Sequence, residues 1–351
     1  MALKTKTPLR ISWAGGGTDI LAVREKIGGR VLNSAITSYV DVDVYQNHDP
    51  KKLSLSYREG FGRADSAEEL KHLPTKHVLL HESVPTGLEI HSHADIPREA
   101  SGGLGGSSSY IVGLINAVRA FQDKDVTEES LARAASEVQE NVQTDELGKV
   151  TGGLQDQYAA AYGGINTFAF GADGGATRRV PLDVDTKELQ TLNEHLFLVV
   201  LPVNRPKEIT ADAILKRQGE DGELAKNLDN YRRQVDLVPE AERAIRHGDM
   251  QELGRVLREG NRLKQEITKG AVPNNNEIEK FLSMAMDNGA LGVKLAGAGG
   301  GGSMSGIVPP EKRKAMMEIL SAHGCLEEPE INIEFNGSRV VYDDGLHRLR
   351  R

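Results

Sequence analysis

The chain has 351 residues, enough for two sizeable cores and, on size alone, about two domains. A net charge of -8 argues against a nucleic-acid-binding surface, where a basic stripe is expected, but leaves room for a small anion in a local basic pocket. The single cysteine, Cys325, rules out an internal disulfide and a cysteine zinc site, and no leader-like apolar core or membrane-length run is present, so the expected location is the cytoplasm and no membrane partner is expected.

Along the chain, Leu9, Ile11 and Trp13 alternate as in a short strand and put Arg10 on the opposite face. Gly15, Gly16 and Gly17 then break the strand and deliver Thr18 and Asp19 at a sharp turn. An arginine beside such a turn fits a polar ligand site and fits a plain surface loop equally well. Val31–Ile36 reads as a second strand or a strand–helix junction. Tyr39–Tyr45 alternates, with Val40, Val42 and Val44 on one face; Asp41 and Asp43 on the other read as a half-solvated sheet and not as a metal pair. Leu53–Tyr57 continues the sheet. His77 and His81 stand four apart, as metal ligands on a helix can, but no carboxylate lies between them in the zinc-protease pattern, so chance is the better account.

Residues 96–121 carry the most distinctive stretch. A strand-like alternation ends at Ile96, and Ile111, Leu114, Ile115, Val118 and Phe121 repeat at helical spacing, marking one buried face. Between them lie Gly102, Gly103, Leu104, Gly105 and Gly106, then Ser107, Ser108 and Ser109. Glycines let backbone N–H groups turn inward and a helix start adds partial positive charge, which together cradle phosphate. A turn that merely caps a helix is the alternative. The spacing matches neither G-x-x-x-x-G-K-[ST] nor G-x-G-x-x-G, and H-R-D and D-F-G are absent.

Thr127 is the expected N-cap of a further helix, with Leu131, Ala134, Ala135, Val138 and Val142 as its buried stripe and Gly148 near its end, after Asp145 and Glu146. Gly152-Gly153 then turn the chain, and Asp156 lies between two glutamines at the start of an Ala-rich helix. It can cap that helix or accept a proton from a bound hydroxyl. Gly171–Ala176 reads as a hairpin tip and Leu196–Leu201 as a fully buried strand. A boundary near Leu192 divides the chain into residues 1–191 and 192–351. The second part is helix-rich to about Asn288. Gly292–Ala296 and Ser303–Val308 flank a second glycine run, followed by a helix at Glu311–Ala322 and strands at Ile331–Phe335 and Arg339–Tyr342. That order suits an antiparallel sheet with helices on one face.

Three stretches together resemble the GHMP small-molecule kinases, named for galactokinase, homoserine kinase, mevalonate kinase and phosphomevalonate kinase. Residues 8–19 resemble the first motif in its Gly-Gly-Gly-Thr-Asp form. Residues 97–109 resemble the phosphate loop P-x-x-x-G-L-G-S-S-A, with Gly106 at the usual first serine and a longer approach from Pro97. Residues 294–303 resemble the third motif. The resemblance implies an α+β, two-domain fold: an N-terminal ribosomal-protein-S5-like domain and a C-terminal ferredoxin-like domain, with the active site between them.

It also implies ATP and Mg²⁺. The residues expected at the phosphates are 102–109, with Ser107 as a metal ligand and either Asp145 or Glu146 as the acidic one. Asp156 matches the catalytic aspartate, and Arg10 the basic residue set against it. Asp19, with Thr18, Gly16 and Gly17 beside it and Gly299 and Gly300 from the third motif, is expected at the substrate. The third motif's glycines are expected to let the C-terminal backbone approach the phosphate loop closely.

The wording of residues 8–19, 28–36 and 155–164 is most similar to D-glycero-D-manno-heptose 7-phosphate kinases and to the kinase part of L-fucokinases. A sugar 1-kinase is therefore expected, on a small-molecule sugar or sugar phosphate, with a homodimer left open. Arg24, Lys26, Arg30, Arg205 and Lys207 are the candidate cations for a distal phosphate. A non-catalytic sugar sensor and a lyase on the same scaffold are the alternatives.

Overall fold

The structure, a computed structural model, describes residues 2–57, 60–84, 86–96, 103–171, 177–203, 221–269, 275–297, 302–328 and 330–344. Its first half opens with β1 (Ala2–Ala14), α1 (Leu21–Ile27), β2 (Gly29–Gln46), β3 (Leu53–Tyr57), β4 (Gly60–Ala64), α2 (Leu73–His81) and β5 (Leu88–Ala94). It continues through α3 (Gly106–Phe121), α4 (Glu128–Leu147), α5 (Gln155–Tyr162), β6 (Ile165–Phe170) and β7 (Arg178–Pro181). The rest holds α6 (Thr186–His195), β8 (Leu196–Val200), α7 (Asp221–Arg246), α8 (Met250–Thr268), α9 (Asn275–Asp287), β9 (Gly292–Leu295), β10 (Ser303–Ile307), α10 (Pro310–Ala322), β11 (Leu326–Glu327) and β12 (Arg339–Asp343).

The elements form two sheets. One has eight strands in the order β12-β1-β2-β5-β3-β4, with β6 and β7 attached beside β2; the other has four, in the order β11-β8-β10-β9. The expected pair of short strands at 31–36 and 39–45 is one strand, β2. It pairs with β1 from Ala2 to Ala14, and its other edge is shared between β6 at Gly29–Ser34 and β5 at Val40–Gln46. Valines 40, 42 and 44 face the core as expected, and Asp41 and Asp43 face Lys4, whose ammonium lies 3.3 and 3.6 Å from them.

The helix after the glycine loop, α3, differs from its sequence reading. Residues from Ser108 to Val118 are all buried, not one face only. The helix lies between β1 and β2 on one side and α2, α4 and α5 on the others, so small residues serve where an apolar stripe does not. At Gly113 an added Cβ would stand 2.7 Å from Thr7 Oγ1, and Thr5 Oγ1 donates to the Gly113 carbonyl at 2.9 Å. Thr127 caps α4 as expected, in a reciprocal pair with Ser130, and Gly148 closes it in the left-handed conformation.

In the second sheet β8 is buried on both faces, which accounts for its unbroken apolar run. Leu196 and Leu198 join the large core with α7 and α8, while Phe197 and Val199 join a second core with α9 and α10.

The end of the chain departs from expectation. Residues 331–335 are not a strand; Ile333 makes a single bridge to Ile36. Arg339–Asp343 does form a strand, but on the first sheet, antiparallel to β1. The intervening chain is held by Ala35, Ala160 and Gly164 backbone groups: Glu334 N donates to Ala35 O at 3.0 Å, Gly164 N to Glu334 O at 2.7 Å and Ser338 N to Ala160 O at 2.9 Å. Among the described residues no helix is long and apolar enough to cross a membrane.

Candidate active site

The site forms where β1, the turn after it, the start of α3, the start of α5 and the end of β9 converge. Strand alternation puts Arg10 and Ser12 on one face of β1. Arg10 is 5% exposed. Its Nε and Nη2 donate to Asp156 Oδ1 at 2.7 and 2.6 Å, its Nη1 donates to the Gly103 carbonyl, and its backbone N donates to Leu104 O at 3.0 Å. One side chain thus ties strand, phosphate loop and α5 together.

Asp156 does not cap its helix. The N-cap of α5 is Leu154, and no side chain of the helix's own start bonds there. The first N–H of α5 is instead taken by Asp19: Gln155 N donates to Asp19 Oδ2 at 3.0 Å and Gln155 Nε2 to Oδ1 at 2.8 Å. The Asp156 carboxylate is left to Arg10, with Oδ2 unpartnered among the described residues.

Asp19, 2% exposed, has its carboxyl pushed above the usual range by burial and by the charge of Asp156, against the pull of the Gln155 N–H and Arg10. Thr18, expected at the substrate, is fully buried. Its hydroxyl donates to Gly15 O at 2.8 Å and accepts from Arg30 N at 3.0 Å, so it shapes the turn. Gly16 and Gly17 lie on the rim of this turn, half-buried.

At the phosphate loop, Gly105 is left-handed (φ 80°) and precedes α3 without a side-chain cap, so the first N–H groups of a long helix are not spent on one. Of the three serines, Ser107 is exposed, Ser108 is buried, and Ser109 donates its hydroxyl to Pro8 O at 2.8 Å. This donor set fits a polyphosphate: N–H groups, helix charge and the exposed Ser107 hydroxyl. The approach of the third motif is as close as expected. A Cβ on Gly103 would lie 2.4 Å from the Ala296 carbonyl carbon, and one on Gly297 would lie 2.2 Å from Gly103 Cα. Lys264 of α8 holds this crossing by donating to Leu295 O at 2.9 Å and to Gly297 O. Gly102, with the approach from Pro97, and Gly299 and Gly300 lie outside the described residues.

The acidic candidates for a metal lie in the last turn of α4. The Asp145 carboxylate is turned to α2, 2.9 Å from His77 Nε2 and 3.8 Å from Lys76 Nζ, and Glu146 is exposed. Among the cations for a distal phosphate, Arg30 is paired with Glu242 of α7 at 2.9 Å; Arg24 and Lys26 are in the last turn of α1, while Arg205 and Lys207 fall outside the described residues.

Two residues escaped the sequence reading. Lys294, on β9, is 6% exposed; its Nζ donates to Ser12 O at 3.2 Å and lies 3.5 Å from the position of a Cβ on Gly16. Burial, and then the Arg10 charge, bring its pKa down to about 8 against the opposing pull of Asp19. Tyr231, on α7, is 1% exposed beside Gly17, and its hydroxyl has no partner among the described residues. Lys294 lies inside the third motif, whose glycines alone carry a spacing signal; Tyr231 reads only as an apolar position of an amphipathic helix.

Comparison with known proteins agrees with this geometry. Residues 70–164 match the model of the GHMP kinases N terminal domain and residues 241–324 that of the GHMP kinases C terminal, together just over half the chain. The chain is 29% identical over 331 residues to the D-glycero-alpha-D-manno-heptose 7-phosphate kinase of Campylobacter jejuni, covering 91% of this chain and 93% of that one. It is 24% identical to part of the bifunctional fucokinase/GDP-fucose pyrophosphorylase of Arabidopsis thaliana, over 91% of this chain and 31% of that protein. The crystal structure of a D-glycero-D-manno-heptose 1-phosphate kinase from Bacteroides thetaiotaomicron superposes with a TM-score of 0.74 at 20% identity, covering 97% of this chain and 100% of that one.

Proposed function

Because the chain belongs to the GHMP kinases, phosphotransferases that act on a hydroxyl group, we propose that it is an ATP-dependent sugar 1-kinase. Its acceptor in this reading is D-glycero-D-manno-heptose 7-phosphate, phosphorylated on the anomeric oxygen to the 1,7-bisphosphate. The observation that carries the chemistry is the Arg10–Asp156 pair set against the phosphate loop: a Cβ on Gly105 would lie 3.5 Å from the Asp156 carboxyl carbon and 3.4 Å from Arg10 Cγ. The nucleophile's proton acceptor and the phosphate cradle are therefore neighbours.

Phosphoryl transfer asks the protein mainly to position groups and offset charge. The start of α3 holds the triphosphate through its N–H groups. Asp156 Oδ2 accepts the hydroxyl proton as the anomeric oxygen bonds the γ-phosphorus and the bridging oxygen leaves with ADP. Arg10 holds Asp156 in place through its Oδ1, which leaves Oδ2 toward the loop. The exposed Ser107 hydroxyl would help hold a Mg²⁺ arriving with ATP, which would supply charge neutralisation at the phosphates.

The substrate assignment rests on the Campylobacter relative and on the first-motif wording. The Arg30–Glu242 pair favours the second reading, an L-fucose or related sugar 1-kinase, because it removes one cation from a distal phosphate site. A non-catalytic sensor fits poorly with an intact Arg10–Asp156 pair. ATP-dependent turnover on a panel of sugars and sugar phosphates separates these. Preference for the heptose phosphate supports the first reading, equal activity on free sugars sinks it in favour of the second, and no turnover at all returns the sensor.

A further inference from the structure

We propose that Lys294 and Ser12 form a hydroxyl-binding subsite, in which the second half of the chain reaches across to touch the acceptor sugar. The inference rests on the sugar-kinase reading above.

Two observations on the side chains carry it. Lys294 is a nearly fully buried ammonium with three N–H donors, and the Ser12 carbonyl is its one hydrogen-bond acceptor among the described residues. Burying a cation so thinly bonded is costly unless a further oxygen completes its shell. Ser12 Oγ, beside it, is buried with no partner among the described residues. Both converge on Gly16: a Cβ there would stand 3.1 Å from Ser12 Oγ and 3.5 Å from Lys294 Nζ, so the glycine keeps this space open.

Around Asp19, whose charge also reaches Lys294, stand two further polar atoms with no partner among the described residues, Gln155 Oε1 and the Tyr231 hydroxyl. Donors and acceptors mixed in this way suit a polyol. A hydroxyl can accept from Lys294 Nζ and donate to Ser12 Oγ at once, whereas an apolar acceptor can do neither. A phosphate is the poorer occupant, since the Asp19 carboxyl is near enough for its charge to act on Lys294.

The test compares Lys294→Met, Lys294→Arg and Ser12→Ala with the wild type, using heptose 7-phosphate, or L-fucose if the panel favours it. Steady-state KM values for sugar and for ATP are measured with melting temperatures. Sugar binding without ATP is followed by fluorescence of Trp13, the chain's one tryptophan, which neighbours Ser12. Lys294→Met is expected to raise the sugar KM and Kd by about 10- to 100-fold, the range for a hydrogen bond to a charged group, while the ATP KM stays within about threefold. Ser12→Ala is expected to raise the sugar KM by about fivefold, and Lys294→Arg to recover part of the loss.

A sugar KM within threefold of wild type in Lys294→Met, or an ATP KM rising in parallel, overturns the subsite. Should Lys294→Met fail to fold, Ser12→Ala decides, because it removes an oxygen that bonds nothing among the described residues; an unchanged sugar KM then overturns it. Wild-type protein that phosphorylates no sugar overturns the kinase reading and this inference together, whereas active wild type with indifferent variants overturns the inference alone.

Discussion

At the scale of single residues, the site is two ion pairs' worth of charge folded into one corner: Arg10 and Lys294 against Asp19 and Asp156. Each carboxylate has a separate task. Asp19 spends both oxygens on Gln155 and so fixes the start of α5, which leaves Asp156 free to face the loop. Asp156→Asn keeps the shape and an acceptor for Arg10 but cannot take a proton. It is expected to lower kcat by about 10²- to 10⁴-fold with the sugar KM little changed, as read by steady-state kinetics. A kcat near wild type would remove Asp156 from the chemistry.

Gly103→Ala tests the crossing with Gly297. Its Cβ would collide with backbone, and its φ of 91° is one that L-residues avoid. A loss of about 2 kcal/mol or more in urea unfolding is expected, with weaker ATP binding.

Arg10, Asp19 and Asp156 were legible because each lies in a run whose glycines stand out. Lys294 and Tyr231 were not, because what places them at the site lies far along the chain: Lys294 bonds Ser12, 282 positions away, and the Tyr231 ring lies beside Gly17.

At the scale of elements, short-range signals were read well and long-range ones poorly. The Thr127 cap, the Gly148 stop and the valines of β2 follow from neighbours in sequence. The length of β2 and the burial of α3 on all sides depend on which elements surround them, and no local pattern records that.

The same holds for the clamp between α2 and α3. Glu82 closes it, 3% exposed, accepting from Arg119 Nε at 3.1 Å, lying 2.9 Å from Arg119 Nη2 and 3.0 Å from His81 Nδ1. Burial pushes its carboxyl up, but His81 and Arg119 prevail and bring it down to about 2. A carboxyl lowered in the folded state stabilises above its unfolded pKa, and that contribution is lost as pH falls toward its folded value. From the ordinary value of 4.5 the difference amounts to about 3 kcal/mol. Glu82→Gln is expected to be less stable at pH 7 and to lack this acid limb between pH 4.5 and 2; chemical denaturation across that range measures both. An unaltered limb would assign the acid sensitivity elsewhere.

At the scale of the whole molecule, the chain leaves the first sheet and builds the second. It then returns along residues 331–338 to finish the first. The return is tightly seated: a Cβ on Gly337 would lie 1.8 Å from Ala161 O, and one on Gly163 would lie 2.4 Å from the Asn336 carbonyl carbon. Gly337→Ala is therefore expected to lower the melting temperature by several degrees, with faster hydrogen exchange at β1 amides while β8 and β10 keep theirs. Uniform exchange across both sheets would mean that the two parts unfold as one.

That return has a consequence for biosynthesis. More than three hundred residues separate β1 from the strand that covers its edge. At typical translation speeds of about 5–20 residues per second, the nascent β1 waits at least about 15 seconds for β12. Over that interval its hydrogen-bonding edge is open to any other extended chain, so yield in the cell should depend on chaperone supply more steeply than the finished enzyme's stability suggests.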